Sequence, residues 1–253
     1  VGIYVEAKVG ADFDELWRLT QDPRCHQRWD LRFTEIQPLP GPEDAPVRFR
    51  YATRVLPGLT VAGTGVSAGE RERRDGTRTS ALRFSCPHPL SPLAEGSGYW
   101  RYVPDGDGVR FLTGYDYRPR WGRAGALLDR LVFRRLMGWA TAWSFDRLRL
   151  WLEHGISPER ALLNWIAEMA VRALVIAACC AVLLAGPLQI AALTGPLGPG
   201  TVFALPLAAA VALTLALIKN PLSGTPAARR CLRTPPLRVH APRLLLRLEG
   251  PTS

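Results

Sequence analysis

Ionisable side chains are plentiful in this chain, but few stand at spacings that chemistry uses. His26, His88, His154 and His240 occur singly, and none has a carboxylate arranged in sequence to suggest a nucleophile–base–acid triad. Cys25, Cys86, Cys179, Cys180 and Cys231 form no C-x-x-C pair and have no histidine at metal-ligand spacing. They read as reduced thiols, so neither a metal site nor a cofactor is expected. The adjacent Cys179 and Cys180 read as small packing side chains, with a reactive pair as the alternative. Asp146 shares a helical stripe with Trp139 and Trp143. A carboxyl buried there would have a raised pKa suited to general acid or base work. The stronger reading of Asp146 is as a partner for Arg149 or Arg147 at a helix end. Arg135, on the same stripe, could pair with an acidic ligand group. Trp29, Asp30 and Arg32 read as a structural turn with a local ion pair.

The elements that must position these groups fall into two kinds. From Ala173 to Ile218 the chain carries no Asp, Glu, Lys, Arg or His. A bilayer core asks for about 20 apolar residues per helix. Ala173 to Leu193 and Thr201 to Ile218 meet or approach that length, joined by the helix-breaking 194–200 (TGPLGPG). The expectation is a transmembrane hairpin. Arg160 and Arg172 precede it, seven basic residues from Lys219 to Arg247 follow it, and the connecting turn is uncharged. By the positive-inside rule, both flanks face the cytoplasm. The same seven cations, against the one acid Glu249, account for more than half of the net charge of +10. They point to anionic lipid rather than nucleic acid.

The other 150 or so residues of the 253 alternate like strands. Gly2 to Val9 reads as a first strand, not a signal peptide, and two short helices follow, begun by Asp12 and by Asp22-Pro23. Strands are expected at 32–39, 47–56, 59–73, 78–86, 96–103 and 108–117, forming one antiparallel meander. Asp75-Gly76 is the strongest turn signal. Pairing Val103 with Gly108 sets Trp100 opposite Phe111 and Tyr102 opposite Val109, on the face that also carries Thr113, Tyr115 and Tyr117. Phe49, Tyr51 and Thr53 share a face of an earlier strand. The two hairpins around residues 59–73 disagree in parity, which a bulge near Gly63 to Gly65 would reconcile. A long helix is expected from about Trp121 to Leu152, with a wide apolar arc. Gly155 ends it and Ser157-Pro158-Glu159 starts the next. In that next helix Trp165 suits a membrane interface and Glu168 can pair with Arg172. The segments are then 1–153 soluble domain, 154–172 linker or interfacial helix, 173–218 membrane hairpin and 219–253 basic cytoplasmic tail.

Strand, two short helices, six-strand meander and long helix is an α+β order that resembles the helix-grip fold of the START-like superfamily. Its members include polyketide cyclases and dehydrases, pollen-allergen-like ligand binders and lipid-transfer domains. The segments 17–23 (WRLTQDP), 26–33 (HQRWDLRF), 98–102 (GYWRY), 110–117 (RFLTGYDY) and 137–149 (MGWATAWSFDRLR) resemble bacterial membrane-attached members, some of which carry a DoxX-like membrane domain. This chain departs from the DoxX-like pattern in having two membrane segments. The resemblance implies a six- to seven-stranded sheet wrapped on the long helix, with a cavity between them. By the strand parity, Phe49, Tyr51, Thr53, Trp100, Phe111, Thr113, Tyr115, Tyr117, Trp139 and Trp143 would line it, or simply fill a core.

An apolar cavity with a few hydroxyls suits a lipid, isoprenoid, quinone or polyketide-like molecule. The expected function is a membrane-anchored binder of such a molecule at the cytoplasmic face of the inner membrane. A cyclase or dehydratase would instead need a buried acid or base. A docking accessory protein would show a filled interior and an exposed apolar patch.

Overall fold

The computed structural model describes residues 2–42, 45–56, 58–185 and 200–236, together with 189, 192 and 242. The connection expected to turn between the apolar helices and the basic residues from Arg238 onward lie outside the described residues.

Contacts divide the chain into two units. The first is Val1–Glu159 together with the segment from Pro226, and the second is Arg160–Thr225. This differs from the sequence expectation, which made everything after the apolar run a tail.

In the first unit β1 (Ile3–Val9) leads into α1 (Phe13–Gln21) and α2 (Pro23–Trp29). Both helices are capped as their sequences require: the Asp12 carboxylate accepts from the Glu15 N–H and that of Asp22 from the Arg24 N–H, with Pro23 in the first turn. Then come β2 (Glu35–Pro38), β3 (Arg48–Leu56), β4 (Leu59–Glu72), β5 (Arg78–Ser85), β6 (Leu93–Asp105) and β7 (Gly108–Pro119). They make one antiparallel sheet in the order β1-β7-β6-β5-β4-β3-β2.

Three details correct the sequence reading. β2 starts at Glu35, with the Thr34 N–H already donating to the Ala52 carbonyl of β3, because the Asp30 carboxylate accepts the Arg32 N–H in an Asx turn that keeps residues 30–33 off the sheet. The last hairpin pairs Asp105 with Gly108 and turns at Gly106 in the left-handed region. Tyr102 therefore faces Phe111 and Trp100 faces Thr113. The shift is two residues, so each side chain keeps its expected face. The bulges lie at 54–56 and 67–69, the second at left-handed Gly69, not at Gly63 to Gly65. Consequently Gly63 and Gly65 share the face of Tyr51 and Phe49.

The long helix is α3 (Gly122–Leu128), a π-helical turn (Asp129–Phe133) and α4 (Arg134–His154), closed by Gly155 in the left-handed conformation. Sequence periodicity missed why its apolar arc is so wide. Residues 140–148 are buried on every side. Thr141 and Phe145 face the sheet, where they meet Tyr115 and Phe111. The opposite side is covered by the segment after Pro226: Cys231 Sγ reaches the Ala142 carbonyl, Arg233 donates to the Arg135 carbonyl, and Leu232 bridges to Glu6 at the edge of β1.

The second unit contains most of α5 (Pro158–Leu184) and α6 (Thr201–Ile218). Among the described residues α5 is long and apolar enough to cross a membrane, and Phe203–Ile218 is a shorter apolar helix. Arg172 pairs with Glu168 at 2.7 Å, as the spacing predicts, and donates to the carbonyls of Ala216 (2.7 Å) and Asn220 (3.2 Å). Asn164 donates to the Gly224 carbonyl and the Leu222 N–H to Glu168. These contacts tie the start of α5 to the end of α6 and the residues just after it, antiparallel.

Candidate functional site

The helix-bearing face of the sheet is paved with aromatic rings laid over glycines. Tyr51 pairs with Gly63, Phe49 and Phe84 both with Gly65, Phe84 with Gly96, and Tyr115 with Gly98. A Cβ at Gly63 would come within 2.4 Å of the Tyr51 hydroxyl, at Gly65 within 2.2 Å of the Phe49 ring, and at Gly96 within 2.5 Å of the Phe84 ring. Glycine is thus what lets the rings lie across the strands rather than stand off them. The helices pack chiefly on β1, β2, β6 and β7. Phe49, Val61, Leu82, Phe84 and Trp100 on the same face are left half-buried. The result is an apolar trough across β3, β4 and β5.

At the covered end of this face lies a polar knot. Asp30 is sealed from solvent. Its carboxylate takes a bidentate ion pair from Arg32, Nε to Oδ1 at 2.9 Å and Nη2 to Oδ2 at 2.6 Å, and a contact from His26 Nε2 at 3.0 Å. Burial by itself would raise the Asp30 pKa. The charge of Arg32 and the hydrogen bonds from His26 and Arg32 outweigh burial and hold it below the usual carboxylate range. Arg32 is held charged in the same way: burial opposes its charge and Asp30 more than compensates. Burial pushes His26 below its ordinary value, the Asp30 contact opposing it in part, so the ring is neutral near pH 7. With a carboxylate as its acceptor, Nε2 carries the proton. Aromatic rings pack round the knot. His26 stacks on Trp29 at 4.9 Å and meets Trp100 and Phe33 edge-on, while Arg32 lies over Phe33 and Tyr115. The Tyr115 hydroxyl reaches Thr141 Oγ1 at 2.9 Å, and burial raises the tyrosine's pKa.

The structure gathers most of the side chains that the parity predicted. Trp100, Phe111, Thr113, Tyr115 and Tyr117 share the helix-bearing face with Phe49, Tyr51 and Thr53. Phe111 stacks on Phe145 at 4.3 Å, Phe33 meets Tyr51 edge-on at 5.7 Å, and Thr53 donates its hydroxyl to the Arg32 carbonyl. Thr113 donates to the Tyr99 carbonyl, and Tyr117 bonds to Asp129 under the π-helical turn. Trp139 and Trp143 are not brought to this face. They stack on each other at 6.3 Å on the side of α4 turned away from Thr141 and Phe145. Asp146 is on that far side too. It accepts from Arg149 (2.7 Å), Arg230 (2.9 Å) and the Ala227 N–H (2.7 Å). It is a clamp for the returning segment, and its expected pairing with Arg149 is present. Arg147 instead donates to the Pro158 carbonyl. Arg135 is exposed.

What the sequence reading missed is that His26 belongs with Asp30. The i, i+4 spacing across α2 and its cap was the available signal. Among the described residues no group of His, Cys, Asp and Glu is assembled for a metal ion. Two open surface depressions are present among the described residues. One of about 130 Å³ is lined by Trp17, Glu70 and Arg78, and one of about 330 Å³ by Glu95, Asp116, Tyr117 and Arg118 among others. Of the ten predicted lining residues, Tyr117 borders the second of these depressions.

No family model matches the sequence. The chain is 47% identical over 159 residues to the uncharacterized membrane protein YndG of Bacillus subtilis strain 168, an alignment covering 62% of this chain and 59% of that protein. The chain therefore spans about three-fifths of that relative's length. Solved structures with similar shape include TTHA0849 from Thermus thermophilus (19% identity, 59% of this chain and 97% of that one, TM-score 0.44). Another is the STAR-related lipid transfer protein of Xanthomonas axonopodis (18%, 59% and 84%, 0.43). A third is the Zhui aromatase/cyclase from Streptomyces sp. R1128 (15%, 58% and 95%, 0.40).

Proposed function

We propose that the chain is a membrane-anchored module that seats a lipophilic small molecule, a lipid, isoprenoid, quinone or polyketide-like compound, on the helix-bearing face of its sheet. The observation that carries this reading is the glycine-floored trough, where Phe49, Leu82, Phe84 and Trp100 remain half-buried on a face whose other end is closed by helices. A flat apolar molecule laid on those rings would remove them from water. The paired knot of His26, Asp30, Arg32 and Tyr115 makes the closed end of that face polar, on the side where a ligand's polar head would lie. Binding is favoured over catalysis because the buried carboxylates of Asp146 and Asp30 are both committed, Asp146 to three partners on the far side of α4 and Asp30 to Arg32 and His26.

The membrane part of the reading is a two-helix hairpin with both flanks cytoplasmic. Support comes from chain connectivity. The chain leaves the first unit after Glu159 and rejoins it at Pro226, and a segment that departs from and returns to one folded body crosses a bilayer an even number of times. The antiparallel contacts of Arg172 and Asn164 agree. The excess of Lys and Arg on the flanks assigns the cytoplasmic side.

The test is mass spectrometry of small molecules released from the full chain extracted in mild detergent, compared with a Leu82→Trp variant that fills the trough. A lipophilic compound held by the wild type and lost from Leu82→Trp is expected. An empty wild type, or equal retention by both, would overturn the proposal. A second reading, an accessory protein that docks a membrane partner, is favoured by one observation: the exposed apolar surface at the start of the long helix.

A further inference from the structure

The first half of the long helix is apolar where it meets solvent. Leu127, Leu128, Leu131, Val132 and Leu136, spaced i, i+1, i+4, i+5 and i+9, are 46–59% exposed. They form a contiguous stripe larger than scattered surface leucines would give. Arg123, Arg130 and Arg135 are exposed in the same stretch. The single acid between Trp121 and Met137 is Asp129, which is buried and held by Tyr117 and Arg134. The exposed side chains of this stretch are therefore apolar or cationic, and the exposed carboxylate that borders it, Asp116, is paired with Arg134 at 3.6 Å.

The backbone at its start is strained to present one more ring. Trp121 is the one non-glycine residue at positive φ among those described (66°), a conformation that costs a bulky side chain about 1–3 kcal/mol. Its indole N–H donates to the Pro89 carbonyl at 3.1 Å, while the residue stays 45% exposed next to Leu90, itself 59% exposed. Beneath it, Gly125 must be glycine, since a Cβ would lie 1.6 Å from the Arg120 carbonyl oxygen. The underside of the stripe is thus fixed to the sheet's end while its upper side is bare.

We infer that this stripe is a lipid-surface docking face, which lays Leu127, Leu128, Leu131, Val132 and Leu136 into the interface of an anionic bilayer with Trp121 at headgroup depth. Charge decides for lipid: exposed arginines among exposed leucines complement an anionic headgroup layer over a hydrocarbon interior. Chain continuity makes a bilayer available to the domain, because α5, the apolar helix long enough to cross a membrane, begins only four residues after α4 ends. The inference is separate from the trough, and stands or falls without it.

The experiment places a photoreactive benzoylphenylalanine at Leu131, or at Arg74 in the exposed β4–β5 turn, in the full chain. The protein is reconstituted into nanodiscs of phosphatidylcholine with or without phosphatidylglycerol, and phospholipid adducts are counted by mass spectrometry. Adducts at Leu131 but not Arg74 are expected. They should fall about tenfold or more when Arg123, Arg130 and Arg135 are all changed to Glu, since each cation near an anionic surface contributes severalfold to binding. Leu131 is on the surface, so its substitution leaves the fold intact. Equal yields at the two sites, indifference to phosphatidylglycerol, or capture of a second copy of the chain by Leu131 would each overturn the inference.

Discussion

Asp30 and Asp146 are both sealed from solvent in the first unit and both neutralised by arginine, but the distance along the chain to their partners is very different. Asp30 draws on His26 and Arg32, within four residues on either side. Asp146 draws on Arg149 nearby and on Ala227 and Arg230, more than eighty residues away across the apolar helices. The first is a local knot that the α2 cap and the turn after it can form early and alone. The second is a long-range clamp that exists only when the chain has returned. Burying a charge is expensive in both places, and breaking either pair leaves an uncompensated ion. What differs is how much else depends on it.

The largest expected effect is therefore at the clamp. Asp146→Ala takes a buried carboxylate from Arg230 and from Arg149, which keeps Glu153, and removes the acceptor of the Ala227 N–H. It should cost about 3–5 kcal/mol, read as a fall in apparent melting temperature in micelles. Limited proteolysis should then cut the variant between Pro226 and Leu232. Removing Arg230 as well should not restore it, because the Ala227 N–H still lacks its acceptor.

The knot should behave in the opposite way. Asp30→Leu alone costs about 3 kcal/mol or more by leaving Arg32 buried and unpaired, whereas Asp30→Leu with Arg32→Leu should recover most of that loss, as apolar replacements of buried pairs often do. If the double variant at the knot is no better than the single, the contrast between local and long-range pairs is wrong.

A variant of the paving separates packing from charge. Gly65→Ala drives a methyl into the Phe49 ring and should cost about 1–3 kcal/mol, with no dependence on pH. The smallest effect is the pH dependence of the knot. The folded-state pKa of His26 lies below its unfolded value. Its contribution is present above about pH 6.5 and is lost as the pH falls through that value toward the folded pKa. Between pH 7 and 5 the wild type should lose stability that His26→Gln does not. A steeper loss in His26→Gln would show the ring to be charged when folded.

Much of the fold could be read from the sequence because its signals are local. Asp12, Asp22-Pro23, Asp75-Gly76 and Gly155 each act within one turn, and each marks an element boundary in the structure. The faces of Phe49, Tyr51, Trp100, Phe111 and Tyr115 followed from strand parity, which survives a two-residue error in register. Trp139 and Trp143 were misplaced for the reverse reason. A helix enclosed on all sides has two apolar faces, and periodicity does not say which one meets the sheet. The return of residues 226–233 to α4 and β1 leaves no periodic mark: Ala227, Arg230 and Leu232 read as a basic tail until the clamp is seen. The glycine paving was visible only as a conflict of parity between two hairpins, because a glycine's role depends on the ring opposite it.

The interleaving of the two units bears on how the protein is made. When Glu159 leaves the ribosome, the sheet is complete except for the Leu232 bridge on β1, and the side of α4 around Asp146 has nothing to cover it. At roughly 5–20 residues per second, synthesis of Arg160–Thr225 takes on the order of 3–13 s. For that interval a nearly finished domain waits with a buried-type carboxylate in water. Completion of the first unit is thus coupled to synthesis of the apolar pair, and on the membrane-anchored reading proposed above, delivery of those helices to a bilayer becomes a step in the domain's own folding.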